Sequence, residues 1–393
     1  MSAVDLTSPG SGLAGLGPAD GGDMRDIAAA VDLLPALPPP DPSDRYHVRT
    51  LTVLWLVRLS ETSRRSYYQA LADWLAWCDR HGVDPLAARR ADRDAWQAGM
   101  TSRKVGPGNV VSTIPASPAT VAKRLAVVSS WYAYLAENDI DVRNPAAGGS
   151  RPKPPARSRL PALSADEMCG FIDWLIRRAE RLGTEAAWRD AAHLHLLFAT
   201  GLRVTASCTA EFKDIRFESG YCVLYYRKKS RTADDWDFVP LSEHLLQTLT
   251  RYWTLRARRE SAERGKLVTV QDLEGPLFVS TPHPHQPERT GGAPLNQKHV
   301  QRRLRTLARQ AGLRCAATIT PHSTRRTAAT VALANGATLA QVQDLLGHAD
   351  PRTTRQGYDA SIHRLETSAV WTIADVTANG APARKPTPPT AAR

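Results

Sequence analysis

Apolar residues recur at three- and four-residue spacing in two long blocks of the chain and alternate in one short stretch of the second block. This predicts a mainly α protein with a small antiparallel β-hairpin. Tyr67, Leu71, Trp74, Leu75 and Cys78 share one face of a helix over 64–80, which His81-Gly82 stops. Ser117-Pro118 sets a capping hydroxyl before a proline at the first helical position, and Val121, Leu125, Val128, Tyr132 and Leu135 form the stripe behind it. A further start stands at Ser164, with Glu167 as its capping-box partner, and helix follows to about Ala199. The run from Tyr221 to Tyr226 reads as a strand and Trp236 to Leu241 as its return, before helices resume from about Asn296 to Leu346. Ile362, Leu365, Ala369, Val370 and Ile373 mark one more apolar helical stripe.

Segments without such patterning divide the chain. Residues 1–44, rich in Gly, Pro, Ala and Asp and ending in Leu37-Pro38-Pro39-Pro40, read as a disordered leader, and 377–393 as a disordered tail. The Pro-, Arg- and Lys-rich segment 151–161 reads as a linker between a small all-helical domain over 45–150 and a second domain over 162–376.

Charge narrows the partner. A formal net charge of +12 favours a polyanion, because Lys and Arg gain affinity by releasing counterions condensed on phosphates. Lys123 and Arg124 on the second helix, Arg151 and Lys153 in the linker, and Arg326 are candidate DNA contacts. No stretch approaches the ~20 apolar residues of a spanning helix, and the first thirty residues lack the apolar core of a secretory signal, so a cytoplasmic, nucleoid-associated protein without a membrane partner is expected. Cys78, Cys169, Cys208, Cys222 and Cys315 are odd in number and show no C-x-x-C pairing, which predicts reduced, buried thiols and no metal site.

Four segments carry polar groups where a plain helical core would not put them. Thr200-Gly201-Leu202-Arg203 ends an apolar helix on an arginine. His322 and Arg325 lie three apart on a helix opened by Pro321, so they project from one face. Leu346-Gly347-His348 ends a helix on glycine with an imidazole beyond it. Tyr358 closes a polar turn containing Gly357.

In this order, with Lys228-Lys229 after the first strand, these segments resemble the tyrosine recombinase (phage integrase) family over about 160–376. The resemblance implies a catalytic domain there, preceded by a helical core-binding (SAM-like) domain. It implies a site-specific DNA recombinase or integrase, serving integration or excision of a mobile element, with Arg203, Lys229, His322, Arg325, His348 and Tyr358 as catalytic residues. Lys228 stays open as the alternative lysine, since strand neighbours point to opposite faces. Two guanidiniums would clamp the non-bridging phosphate oxygens, the imidazoles would donate hydrogen bonds or handle the nucleophile's proton, and Tyr358 would form a 3′-phosphotyrosine. That bond keeps its energy, so rejoining calls for no cofactor and no metal ion. The implied partners are double-stranded DNA, three further copies in a homo-tetramer on two sites, and an accessory DNA-bending or directionality protein. Two departures stand out: Ala206 occupies the usually acidic place three after the first arginine, where Thr205, Ser207 or Glu211 are the nearby substitutes, and the His348–Tyr358 interval is one residue longer than usual. A non-catalytic DNA-binding protein on the same fold and a type IB topoisomerase are the alternatives.

Overall fold

The computed structural model describes residues 22–41, 43–105, 111–148, 152, 161–228, 235–282 and 291–347. They divide into two compact units, one within Met1–Ala156 and one within Arg157–Arg393.

The first unit holds α1 (Gly22–Asp32), α2 (Val48–Val57), α3 (Glu61–Arg80), α4 (Arg90–Ala98), β1 (Thr101–Val105), β2 (Val111–Pro115) and α5 (Pro118–Ala136). The stripes predicted on α3 and α5 meet in its core, where Trp74, Trp131 and Tyr132 are fully buried. Their polar atoms are satisfied there: Trp74 Nε1 donates to Tyr132 Oη (3.1 Å), which donates to the Pro85 carbonyl (2.5 Å), and Trp131 Nε1 donates to Thr52 Oγ1 (2.9 Å).

Two features depart from the expectation. The disordered leader through 44 is corrected from residue 22 onward, because Ile27, Ala30 and Val31 of α1, with Leu34 just past its end, form an apolar stripe that is buried in this core. The guanidinium of Arg49 then gathers the carbonyls of Val31, Leu37 and Pro38 at 2.8–3.0 Å. Bulk composition hides a stripe of four residues beside a proline run that serves only as the connection. The second departure is the antiparallel β1–β2 ribbon, paired from Thr101↔Pro115 to Val105↔Val111, in a unit read as all-helical. Every residue of β2 is exposed, so no burial alternation announces it.

The second unit comprises α6 (Ala165–Leu182), α7 (Glu185–Thr200), α8 (Val204–Thr209), β3 (Ile215–Glu218), β4 (Tyr221–Arg227), β5 (Trp236–Pro240), α9 (Glu243–Arg264), α10 (Gln297–Gln310), α11 (Pro321–Ala334) and α12 (Leu339–Leu346). The capping box that opens α6 is made in both directions, at 3.1 and 3.0 Å between Ser164 and Glu167. Helix α7 is buried along most of its length and packs on α6, α9 and α11. The predicted hairpin is β4–β5, and β3 joins its other side in the order β3-β4-β5, all antiparallel. Asp190 of α7 is buried between two arginines, with Oδ1 2.8 Å from Arg189 Nη2 and Oδ2 2.5 Å from Arg303 Nη2 of α10. Of the five thiols, Cys78, Cys208 and Cys222 are buried and Cys315 is half-buried. Cys169 is exposed on α6, against the expectation for all five.

Two histidines of α7 give the unit an acid-sensitive core. Burial, then the charge of Arg189, pushes the His193 imidazole down to about 3, and burial, then His244, pushes that of His195 down to about 4. In an unfolded chain both rings titrate near ~6.5. Below that pH the unfolded state takes up protons the folded state refuses, so stability is complete above about pH 6.5. It falls as pH drops, by up to roughly 1.4 kcal/mol per pH unit per ring. Urea midpoints measured from pH 7 to pH 5 should decline on this slope, and His195→Gln should make the decline shallower.

Candidate active site

The site is built where helix ends meet. Helix α7 stops at Gly201, whose left-handed backbone (φ +62) any side chain would strain, and a Cβ there would sit 3.3 Å from the Ala328 side chain and 3.4 Å from that of Leu346. The Thr-Gly-Leu-Arg turn is therefore pressed against α11 and α12. Thr200 Oγ1 accepts from the Leu202 amide (3.3 Å), and the turn delivers Arg203 as the residue that caps α8. Arg203 is half-buried.

Arg325 reaches the same turn from α11. It is 3% exposed, and its guanidinium donates through Nη1 to the Gly201 carbonyl (2.7 Å) and through Nη2 to the Leu346 carbonyl. A cation between the carbonyl ends of α7 and α12 is favoured by both helix dipoles. His322, one turn earlier on α11, has surface open to solvent. Its pKa nevertheless lies below the ordinary imidazole value, first through desolvation by the protein packed behind it and then through repulsion from Arg325, Arg203 and Arg326. Arg326 is half-buried beside them.

The hairpin completes the cluster. Burial, then the charge of Asp237, raises the Tyr226 phenol to about 12, while Arg325 and Arg203 pull it the other way. Tyr226 donates to Asp237 Oδ2 (3.4 Å), and Lys228 Nζ lies 3.2 Å from the same oxygen and 3.8 Å from Asp235 Oδ1. A Cβ added at Gly347, the left-handed residue ending α12 (φ +52), would meet Asp237 Oδ2 at 3.4 Å and the Tyr226 hydroxyl at 3.5 Å. The β4–β5 end thus abuts the turn that leads to His348.

Among the predicted site residues, Arg203, His322, Arg325 and Lys228 come together with Arg326 alongside. Lys229, His348 and Tyr358, and the linker cations Arg151 and Lys153, lie outside the described residues. In the first unit Lys123 is exposed, whereas Arg124 is committed within the fold, to Asp73 (3.2 Å) and the Thr101 carbonyl (2.9 Å). Ala206 is buried, and of its three nearby substitutes Ser207 is the one turned inward: its hydroxyl lies 2.8 Å from His193 Nε2, bracing α8 against α7 with a neutral pair. Thr205 is exposed, and Glu211 pairs with exposed Lys213.

Sequence reasoning missed Tyr226 and Asp237, which strand register alone brings together. It also missed a basic stripe on α10, where Lys298, Arg302, Arg305 and Arg309 line one groove while Val300, Leu304 and Leu307 are buried on the opposite face. Its signal was legible as cations spaced four, three and four residues apart.

An anion among these cations would offset the field that depresses His322. Its imidazole should therefore titrate below ~6.5 in the free protein and move upward when duplex DNA binds. An NMR titration of the ring proton with and without DNA checks this, and a free-protein midpoint above ~6.5 would contradict it.

Comparison with known proteins bears on the same residues. The profile of the phage integrase family matches residues 171–363, which contain the whole cluster. Tyrosine recombinase XerC of Myxococcus xanthus is 30% identical over 256 residues, covering 64% of this chain and 74% of that protein. The chain belongs to the tyrosine recombinase family. It is a site-specific recombinase, an enzyme acting on DNA. Tyrosine recombinase XerD of Oceanobacillus iheyensis is 28% identical over 298 residues, 76% of this recombinase and 87% of that one. The same fold is found in the XerH site-specific recombinase in a post-cleavage complex with its palindromic difH substrate, at a TM-score of 0.56 and 16% identity over 88% of this chain and 94% of that one.

Proposed function

We propose that Arg203 and Arg325 clamp the non-bridging oxygens of the scissile phosphate. Charge develops on these oxygens in the transition state, where fixed donors contribute most. His322 and His348 hydrogen-bond the same phosphate or take the nucleophile's proton, and Tyr358 attacks phosphorus. A cationic surrounding favours the phenolate of a group whose ordinary pKa is ~10. The lysine that protonates the departing 5′-oxygen is assigned to Lys228 in place of Lys229: strand alternation gives it the face of β4 that carries buried Leu224 and Tyr226, and Tyr226 feels both arginines. The observation that carries this reading is the meeting of Arg203, His322 and Arg325 at the joined ends of α7, α11 and α12.

The first unit, which α1 opens at Gly22, acts as the core-binding domain on duplex DNA, with Lys123 contributing backbone contacts, and the α10 stripe adds contacts from the catalytic unit. The working assembly is a homo-tetramer on two sites in the cytoplasm, assisted by an accessory DNA-bending or directionality protein and used for integration or excision of a mobile element. Incubation with nicked duplexes drawn from the flanks of its own gene should give an SDS-stable protein–DNA adduct whose labelled peptide contains Tyr358. A supercoiled plasmid lacking any site should remain unrelaxed. Relaxation of that plasmid would favour a topoisomerase.

A further inference from the structure

Lys228 stands at the end of β4, where a flexible four-carbon side chain has little to fix it. Cross-strand register supplies a partner. Tyr226 and Asp237 lie directly opposite each other, one step beyond the buried pair Leu224 and Val239. Lys228 follows Tyr226 by two residues and so shares its face. This face of the hairpin therefore passes from an apolar pair, through a hydrogen-bonded phenol–carboxylate pair, to the ammonium.

Both Asp237 oxygens are engaged. Oδ1 accepts from the Phe238 amide (2.9 Å), while Oδ2 accepts from the Tyr226 hydroxyl (3.4 Å) and lies 3.2 Å from Lys228 Nζ. Tyr226, 6% exposed, stays protonated and can only donate to the carboxylate at neutral pH. An acid this close to a phosphate-binding cluster repels the ligand, so its presence calls for a compensating task. The acid usual on α8 is absent, Ala206 standing in its place, and β5 brings a carboxylate to the cluster from another direction.

We infer that Asp237, oriented by Tyr226, is a positioning residue that holds the Lys228 ammonium beside the arginine pair and the Gly347 turn. This rests on the reading of Lys228 as the proton donor to the leaving 5′-oxygen. In this role Asp237 bonds to Tyr226, Phe238 and Lys228 and not to the reacting atoms. Its effect on the reaction passes through Lys228.

Leaving-group chemistry tests it. Single-turnover cleavage is measured for the wild type, Asp237→Asn, Tyr226→Phe and Lys228→Ala on nicked duplexes carrying either the natural 5′-oxygen or a bridging 5′-sulfur at the scissile phosphate. Sulfur departs without a proton, so a defect in proton donation disappears on that substrate while a defect in folding or phosphate clamping persists. Lys228→Ala should lose about 10²-fold or more on oxygen, Asp237→Asn about 10- to 100-fold and Tyr226→Phe less. All three should return to within about threefold of the wild type on sulfur. If Asp237→Asn is equally slow on both substrates, or cuts the oxygen substrate as fast as the wild type, while Lys228→Ala is rescued, the inference is overturned and the role of Lys228 stands. If Lys228→Ala is not rescued by sulfur, the proton-donor reading fails and the inference with it.

Discussion

Tyr358→Phe should abolish the covalent adduct altogether while duplex affinity stays within about twofold, because affinity comes mainly from Lys and Arg neutralising phosphates. The substitution deletes the one atom that bonds to phosphorus, and no remaining group of a phenylalanine can replace it. Cleavage on a suicide duplex should fall by at least ~10⁴-fold, to the background of the assay. Denaturing gels read the adduct and native gels the binding. Tyr226 is a poor substitute nucleophile, since it is 6% exposed and its phenol is raised to about 12. An adduct persisting in the Phe variant would remove Tyr358 from the mechanism.

Arg325→Ala and Arg203→Ala should both slow cleavage by about 10²–10³-fold, the usual loss when one transition-state donor is removed. They should differ sharply in stability. The Arg325 guanidinium is buried and donates to the Gly201 and Leu346 carbonyls, so truncation orphans two acceptors at about 1–3 kcal/mol each and loosens α12 from α7. Arg203 is half-buried and its side chain makes no hydrogen bond or ion pair with another described residue, so its truncation should change stability by less than ~0.5 kcal/mol. Arg325→Lys keeps the charge but not the planar fork, and should fall between wild type and alanine in both measurements. Urea titration beside single-turnover kinetics separates the two residues, and a large stability loss in Arg203→Ala would contradict this division of labour.

The residues that meet at the helix ends, Arg203, His322 and Arg325, were legible in the sequence because each sits at a break in a pattern: an arginine where an apolar helix ends on glycine, and a histidine and arginine three apart behind a proline. Such breaks are local, and the ends of α7, α11 and α12 fell close to where they were expected. The long stripes of α3 and α5 were legible for the same reason. What escaped depends on partners distant in sequence. Asp237 gains its meaning from a register that sets it opposite Tyr226, and neither residue alone departs from an ordinary strand. Ser207 stood among three equal substitutes for the missing acid until His193, fourteen residues earlier on α7, was found beside it. The α1 stripe was short and lay next to prolines, so composition outweighed it, and the β1–β2 ribbon buries no face that could have imposed an alternation.

The turn at Gly347 has a practical consequence for anyone building chimaeras from this recombinase. Its backbone conformation excludes a side chain, its neighbour Leu346 supplies a carbonyl to Arg325, and the Asp237 carboxylate and Tyr226 hydroxyl pack against it. A crossover placed between 325 and 347, or between the hairpin and α12, would pair surfaces that have not been fitted to each other. Grafts intended to change which DNA is chosen should exchange the hairpin, α11 and α12 as one block, or leave all three in place.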